Sequence, residues 1–247
     1  VNIEIFKTRE ALGRAAAETA IGLLSAAIDK KGKAAFIAAT GASQFEFLQA
    51  LADRKEEVDW SKTTMFHLDE YIGLPETHPA SFRGYLRKRL ISKVNPGKVF
   101  LIDAEADPVK ECERLNKLIG GYEIDAAFTG IGENGHIAFN DPPADFKTTD
   151  PYIVVDLDER CRKQQLGEGW FPSFEAVPTR AISMSVDRIL KSRTILCVVP
   201  GLVKAEAVRN CLEKEISPRY PASCLRKHPD VRLFLDEESS SLLKHKP

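Results

Sequence analysis

Short apolar runs alternate with amphipathic stretches along most of the chain. Residues 3–6 alternate apolar and polar positions in the manner of an edge strand. Residues 34–39, 125–129 and 195–199 are apolar nearly throughout and read as strands buried on both faces. Residues 63–68, 99–102 and 231–235 complete the predicted strands. Thr8 is placed to cap a helix reaching about residue 30, with Leu12, Ala16, Leu23 and Ala27 on one face. Further helices are predicted over 44–51, 82–91 (a basic stretch), 109–119 and 202–212.

Strands and helices in this alternation call for right-handed crossovers, and so for an α/β protein built on a mainly parallel sheet. No repeat or low-complexity linker divides residues 1–247, so a single domain is expected. The least regular part is 142–178, which includes Lys163-Gln-Gln-Leu-Gly-Glu-Gly-Trp170-Phe-Pro. It reads either as a lid over a substrate or as a structural excursion.

Composition narrows the classes. Hydrophobic residues make up 43% and charged residues 29%, which suits a globular protein with a full core. Lys and Arg number 35 against 36 Asp and Glu, so neither a nucleic acid nor a membrane surface is expected as partner. No apolar run is seen to approach the roughly 18 residues of a membrane span. The opening residues read as a strand rather than a signal peptide, and a cytoplasmic protein is expected. Cys112, Cys161, Cys197, Cys211 and Cys224 form no close pair, which points to reduced, mostly buried thiols rather than zinc or disulfides.

Four segments at predicted strand ends carry candidate chemistry, the place where open α/β sheets bind ligands. The densest is Gly130-Ile-Gly-Glu-Asn134-Gly-His136-Ile-Ala-Phe-Asn-Asp141-Pro. Its glycines let a backbone approach a ligand. His136 can move a proton near neutral pH, and Asp141 or Asn134 can orient its ring. Thr40-Gly41-Ala42-Ser43 offers backbone N–H groups, hydroxyls and a helix N-terminus to an anion. In Leu68-Asp69-Glu70-Tyr71 a carboxylate at a strand end can serve as a general base. Arg160 and Lys204 are the candidate cations, and Lys204 opens a helix, where a cation is disfavoured unless an anion lies between it and the dipole. Each segment alone also fits a plainer reading: a Gly-rich turn, an acidic cap, a solvated lysine.

Taken in order, these residues resemble the glucosamine-6-phosphate deaminase family along nearly the whole chain. The matching motifs are Asp69-Glu70-Tyr71-Ile-Gly-Leu-Pro75 with His78-Pro79 and Ser81, and Gly130-x-Gly-x-Asn134-Gly-His136-Ile-Ala-Phe-Asn140. Val177-Pro178 with Ala181, Lys204-Ala205, and Ser223-Cys-Leu-x-x-His228-Pro229 also match.

The resemblance implies a modified Rossmann-like fold with helices on both faces of the sheet, and conversion of an amino-sugar 6-phosphate to a ketose phosphate and ammonia. It implies no metal, nucleotide or other cofactor, and a small-molecule sugar phosphate as the partner. Asp69 resembles the base that shuttles a proton between C2 and C1, and His136 the group that assists ring opening. Asn134 and Asp141 fall on its supporting positions. Thr40, Gly41, Ala42 and Ser43 fall on the phosphate loop, Arg160 and Lys204 on its cations, and Glu70 and Gly130 at substrate-binding positions. The loop departs from the family at Ala42 and Gln44, where a glycine and a proline are usual, so a positive φ there would strain Ala42. Asp141 replaces the usual glutamate, and Ser185-Val-Asp187-Arg188 replaces a Gly-rich stretch. Residues 150–154 lack the cations that bind an effector in allosteric members, so no such activation is expected; the oligomeric state stays open. The competing readings are a 6-phosphogluconolactonase, a deaminase of the galactosamine epimer, and a non-catalytic sugar-phosphate sensor.

Overall fold

The computed structural model describes residues 1–245. In chain order the elements are β1 (Asn2–Phe6), α1 (Arg9–Lys31), β2 (Ala34–Ala38), α2 (Phe45–Asp53), β3 (Thr63–His67), β4 (Asp69–Tyr71), α3 (Phe82–Leu86), α4 (Ser92–Val94), β5 (Lys98–Phe100), α5 (Pro108–Ile119), β6 (Ala126–Thr129), β7 (Tyr152–Asp156), α6 (Glu159–Gly167), β8 (Arg180–Met184), α7 (Val186–Leu190), β9 (Thr194–Val199), α8 (Ala205–Glu213) and β10 (Val231–Asp236). Seven strands form one sheet in the order β1-β10-β9-β6-β2-β3-β5. Every pairing in it is parallel. These are the strands that the apolar pattern predicts.

Side-chain alternation splits the core between the two faces of this sheet. Ala34, Phe36, Ala38, Phe128 and Val198 face α1 and α2, whereas Ala35, Ile37, Ala127, Cys197 and Val199 face α5, α7 and α8. Thr8 caps α1 by accepting from the Ala11 amide at 3.2 Å, and Gly32 ends it in the left-handed conformation (φ 73). By length and composition α1 could cross a membrane, contrary to the reading that no apolar run is long enough. Its alanines conceal that character in the sequence. Here Leu12, Ala16, Ala20, Leu24 and Ile28 are buried in the core.

Residues 82–91 are helical as expected, but α3 passes through a π turn at Arg87–Ile91 into α4. Phe82, Leu86, Leu90 and Val94 are the buried apolar positions, spaced four apart. A four-residue spacing outruns the 3.6-residue period, and the wider turn keeps these side chains in line.

The segment 142–178 needs correcting. It is not wholly irregular, for it contributes β7 and α6. β4, β8 and β7 form a second, antiparallel sheet. It packs on the main core through Tyr152, Ile182 and Met184, and the Tyr152 hydroxyl donates to the His67 carbonyl at 2.7 Å. β4 continues from β3 after Leu68, so Asp69 and Glu70 belong to a strand rather than a turn.

Candidate active site

The chain runs from β2 outward through β3 to β5, then returns to the other side of β2 through β6. This reversal makes β2 and β6 a topological switch point, where a crevice opens at the carboxyl ends of the strands. Thr40, Gly41, Ala42, Ser43, Asp69, Gly130, His136 and Lys204 all line that cleft.

Two matching turns build the anion end. After β2, Gly41 adopts φ 94 and its carbonyl accepts from the Gln44 amide at 3.1 Å. After β9, Gly201 adopts φ 96 and its carbonyl accepts from the Lys204 amide at 3.0 Å. The positive φ falls on Gly41, and Ala42 begins a 3-10 turn outside the left-handed region, so Ala42 carries no strain. Lys204 is buried, and burial lowers its pKa against the opposing fields of Glu168 and Glu133. Arg9 also lines the cleft and donates from Nη2 to the Ala42 carbonyl at 3.0 Å. Sequence reasoning missed it, because it lies in the first turn of α1, outside every motif.

The adjacent carboxylates Asp69 and Glu70 have opposite surroundings. Glu70 is fully buried and accepts from the amides of Tyr71 (3.0 Å), Phe82 (3.1 Å) and Arg83 (2.7 Å) and from the Ser81 hydroxyl (3.1 Å). It fastens the N-terminus of α3 to β4 and does not line the cleft, so its expected contact with substrate has no geometric support. Burial pushes Glu70 up to about 7 against the pull of these donors. Asp69 faces the cleft, and burial together with the Glu70 charge pushes it up to about 8.

His136 Nδ1 lies 3.1 Å from Asp141 Oδ1. Asp141 accepts from Asn134 Nδ2 at 2.8 Å and from the Asp158 amide at 3.0 Å. Burial opposes the Asp141 charge, but His136, Asn134 and the Asp158 amide outweigh it and hold the carboxyl below its ordinary range. Asn134 Oδ1 also accepts from the His136 amide at 3.0 Å. Asn134 and Asp141 therefore position the imidazole from behind. A Cβ on Gly132 would stand 2.2 Å from His136 Cε1 and Nε2, so glycine is required for the ring to lie there. Ala138, also in the cleft, takes φ 50, a strain of about 1–2 kcal/mol. The clamp is Asn140, whose Nδ2 donates to the carbonyls of Ile137 and Met184 at 2.8 Å each.

The opposite wall comes from α6 and the residue just beyond it, with Gln164, Gln165 and Glu168 in the cleft. Arg160 is not brought there. Its side chain is 60% exposed, 3.8 Å from Glu206, in an adjoining cavity that Asn134 and Glu133 also line. All five cysteines are free and buried, as expected.

Known proteins share this arrangement of chain. The family of glucosamine-6-phosphate isomerases/6-phosphogluconolactonase matches residues 7–234. A glucosamine-6-phosphate deaminase of Bacillus pumilus is 36% identical over 250 residues, covering 98% of this chain and 100% of its own. A solved monomeric glucosamine-6-phosphate deaminase of the NagB superfamily superposes with a TM-score of 0.90 at 33% identity, over 98% of this chain and 100% of its own. A 6-phosphogluconolactonase of Trypanosoma brucei gives a TM-score of 0.79 at 17% identity over 97% of both chains, a likeness of fold alone.

Proposed function

The chain belongs to the glucosamine-6-phosphate isomerase/6-phosphogluconolactonase family, and from that premise we propose that it converts glucosamine 6-phosphate and water to fructose 6-phosphate and ammonia. One observation carries the reading. Asp69 and His136 share a single cleft with Lys204 and the Thr40–Ser43 turn, so acid–base groups and an anion site meet at one ligand.

The phosphate is the remote handle, held by the amides and hydroxyls of the β2 turn and by the Lys204 ammonium. Binding energy spent there orients the reacting carbons. His136, steadied by Asp141 and Asn134, gives a proton to the ring oxygen as the sugar opens. Asp69 then takes the C2 proton, leaving an enolamine, and returns it to C1. Water adds to the resulting C2 imine, the carbon–nitrogen bond breaks, and ammonia leaves. A carboxylate of ordinary pKa is a weak base for a C–H bond, whereas burial and the Glu70 charge raise Asp69 to about 8. The α6 wall closes the sugar end of the cleft, in the part of 142–178 read as a lid.

The deciding experiment measures ammonia release by the purified chain from glucosamine 6-phosphate, with galactosamine 6-phosphate and 6-phosphogluconolactone in parallel. Ammonia from the first substrate is expected. Faster release from the galactosamine epimer would reassign the sugar, and lactone hydrolysis without ammonia would overturn the deaminase reading.

A further inference from the structure

His136, Asp141 and Cys161 bring an imidazole nitrogen, a carboxylate oxygen and a thiol sulfur within 4.8 Å of one another. All three side chains are largely out of solvent: Cys161 is 1% and His136 8% exposed as residues, and the Asp141 side chain 6%. Nitrogen, oxygen and sulfur donors at bond lengths of about 2.0–2.3 Å make the ligand set that zinc takes in four-coordinate sites. Tetrahedral neighbours at those lengths stand about 3.3–3.7 Å apart, so the widest separation needs to contract by about 1–1.5 Å.

Two further observations point to a ligand. The first is His136 Nδ1, which is buried and has no aligned hydrogen-bond partner although Asp141 Oδ1 stands 3.1 Å away. The second is the support behind the ligand atoms. Asp141 is fixed by Asn134 Nδ2 at 2.8 Å and by the Asp158 amide at 3.0 Å. Outer partners of this kind orient metal ligands and raise affinity.

We propose that His136, Asp141 and Cys161 form an inhibitory site for a thiophilic divalent cation of the zinc type. Binding breaks the Cys161 S–H bond and displaces any proton on His136 Nδ1; both protons leave to solvent as the metal–sulfur and metal–nitrogen bonds form. The ring then no longer passes through its doubly protonated form, and proton delivery from His136 stops. The inhibition rests on the catalytic role proposed above for His136; the binding does not.

The test uses the reduced full chain. Calorimetry with Zn2+ should give one metal per chain. Cd2+ in its place should produce a thiolate-to-metal charge-transfer band in the ultraviolet. Cys161→Ser should abolish that band and weaken Zn2+ binding at least about tenfold, keep the rate measured without metal, and lose Zn2+ inhibition by the same factor. Cys161→Ala serves as a second variant, with thermal melting to establish its fold, and Cys211→Ser should behave like the parent. An unchanged band in both Cys161 variants, or its loss in Cys211→Ser instead, would overturn the site. Cys161-dependent binding that leaves turnover untouched would keep the site and remove His136 from the mechanism.

Discussion

The two walls of the cleft are built differently. One is the row of strand ends, where Asp69, His136 and Lys204 are each less than 10% exposed; His136 and Lys204 sit in turns of the parallel sheet, and Asp69 is where β3 passes into β4 of the antiparallel sheet. The other is α6, whose buried residues are Cys161, Gln164 and Gln165. It is fastened by side-chain hydrogen bonds: the Tyr71 hydroxyl to Gln165 at 2.6 Å, the Glu133 amide to Gln164 at 2.9 Å, and Arg162 to the carbonyls of Phe174 and Val177 at 2.9 Å. Shifting a strand end would tear the packing of the main core, whereas shifting α6 disturbs one small apolar cluster at Cys161 and otherwise exchanges polar contacts that water can replace at a net cost of about 1 kcal/mol each. Groups that must stand in place before substrate arrives therefore belong on the sheet wall, and groups that adapt to substrate belong on α6.

The comparison breaks first at Asp69. Asp69→Asn removes the proton acceptor and should lower kcat by about 10²–10⁴-fold, with affinity for a phosphate-bearing competitor nearly unchanged. Full turnover in this variant would take Asp69 out of the reaction. The same residue sets a pH limb. Its pKa is raised to about 8, and only the ionised form accepts a proton. On the limb that Asp69 controls, kcat/KM should therefore fall about tenfold per pH unit below that value. A limb near the ordinary carboxylate range would mean that the site is wet.

Gly132→Ala tests the wall while leaving every reacting side chain in the sequence. The new methyl would occupy space 2.2 Å from the His136 ring, and a displacement of about 1 Å at a catalytic group costs about 10²-fold in rate. An unaltered kcat would show that the ring has room to move. Lys204→Ala should act on binding, raising KM about 10–100-fold through loss of a charged hydrogen bond worth about 1.5–3 kcal/mol. A wild-type KM there would separate Lys204 from the phosphate.

The same division decides what could be read from the chain alone. The sheet wall was legible, because strands buried on both faces are continuous apolar runs and the turns after them need glycine at φ 94 and φ 96. The α6 wall was not. Its buried face presents two glutamines and a cysteine, so no apolar stripe marks it as a helix, and its first residues look like loop. β7 and β8 are five-residue strands of a small sheet, too short for periodicity to stand out. Nor does spacing say which of Asp69 and Glu70 faces the cleft. Strand alternation puts them on opposite faces, and only the amides at the start of α3 show that Glu70 is the one consumed in holding the fold.

Arg160 gives the smallest effect and the sharpest reading of α6. Its guanidinium is exposed and 3.8 Å from Glu206, an arrangement worth at most about 1 kcal/mol. If α6 stays where it is during turnover, Arg160→Ala should raise KM no more than about fivefold, well short of Lys204→Ala. Glu206→Gln, which releases the arginine, should then change KM little. If Arg160→Ala instead matches Lys204→Ala, the arginine leaves Glu206 for the substrate phosphate, and Glu206→Gln should lower KM by removing the competitor. Measured side by side, the two substitutions distinguish a fixed outer wall from one that turns inward when the sugar phosphate binds.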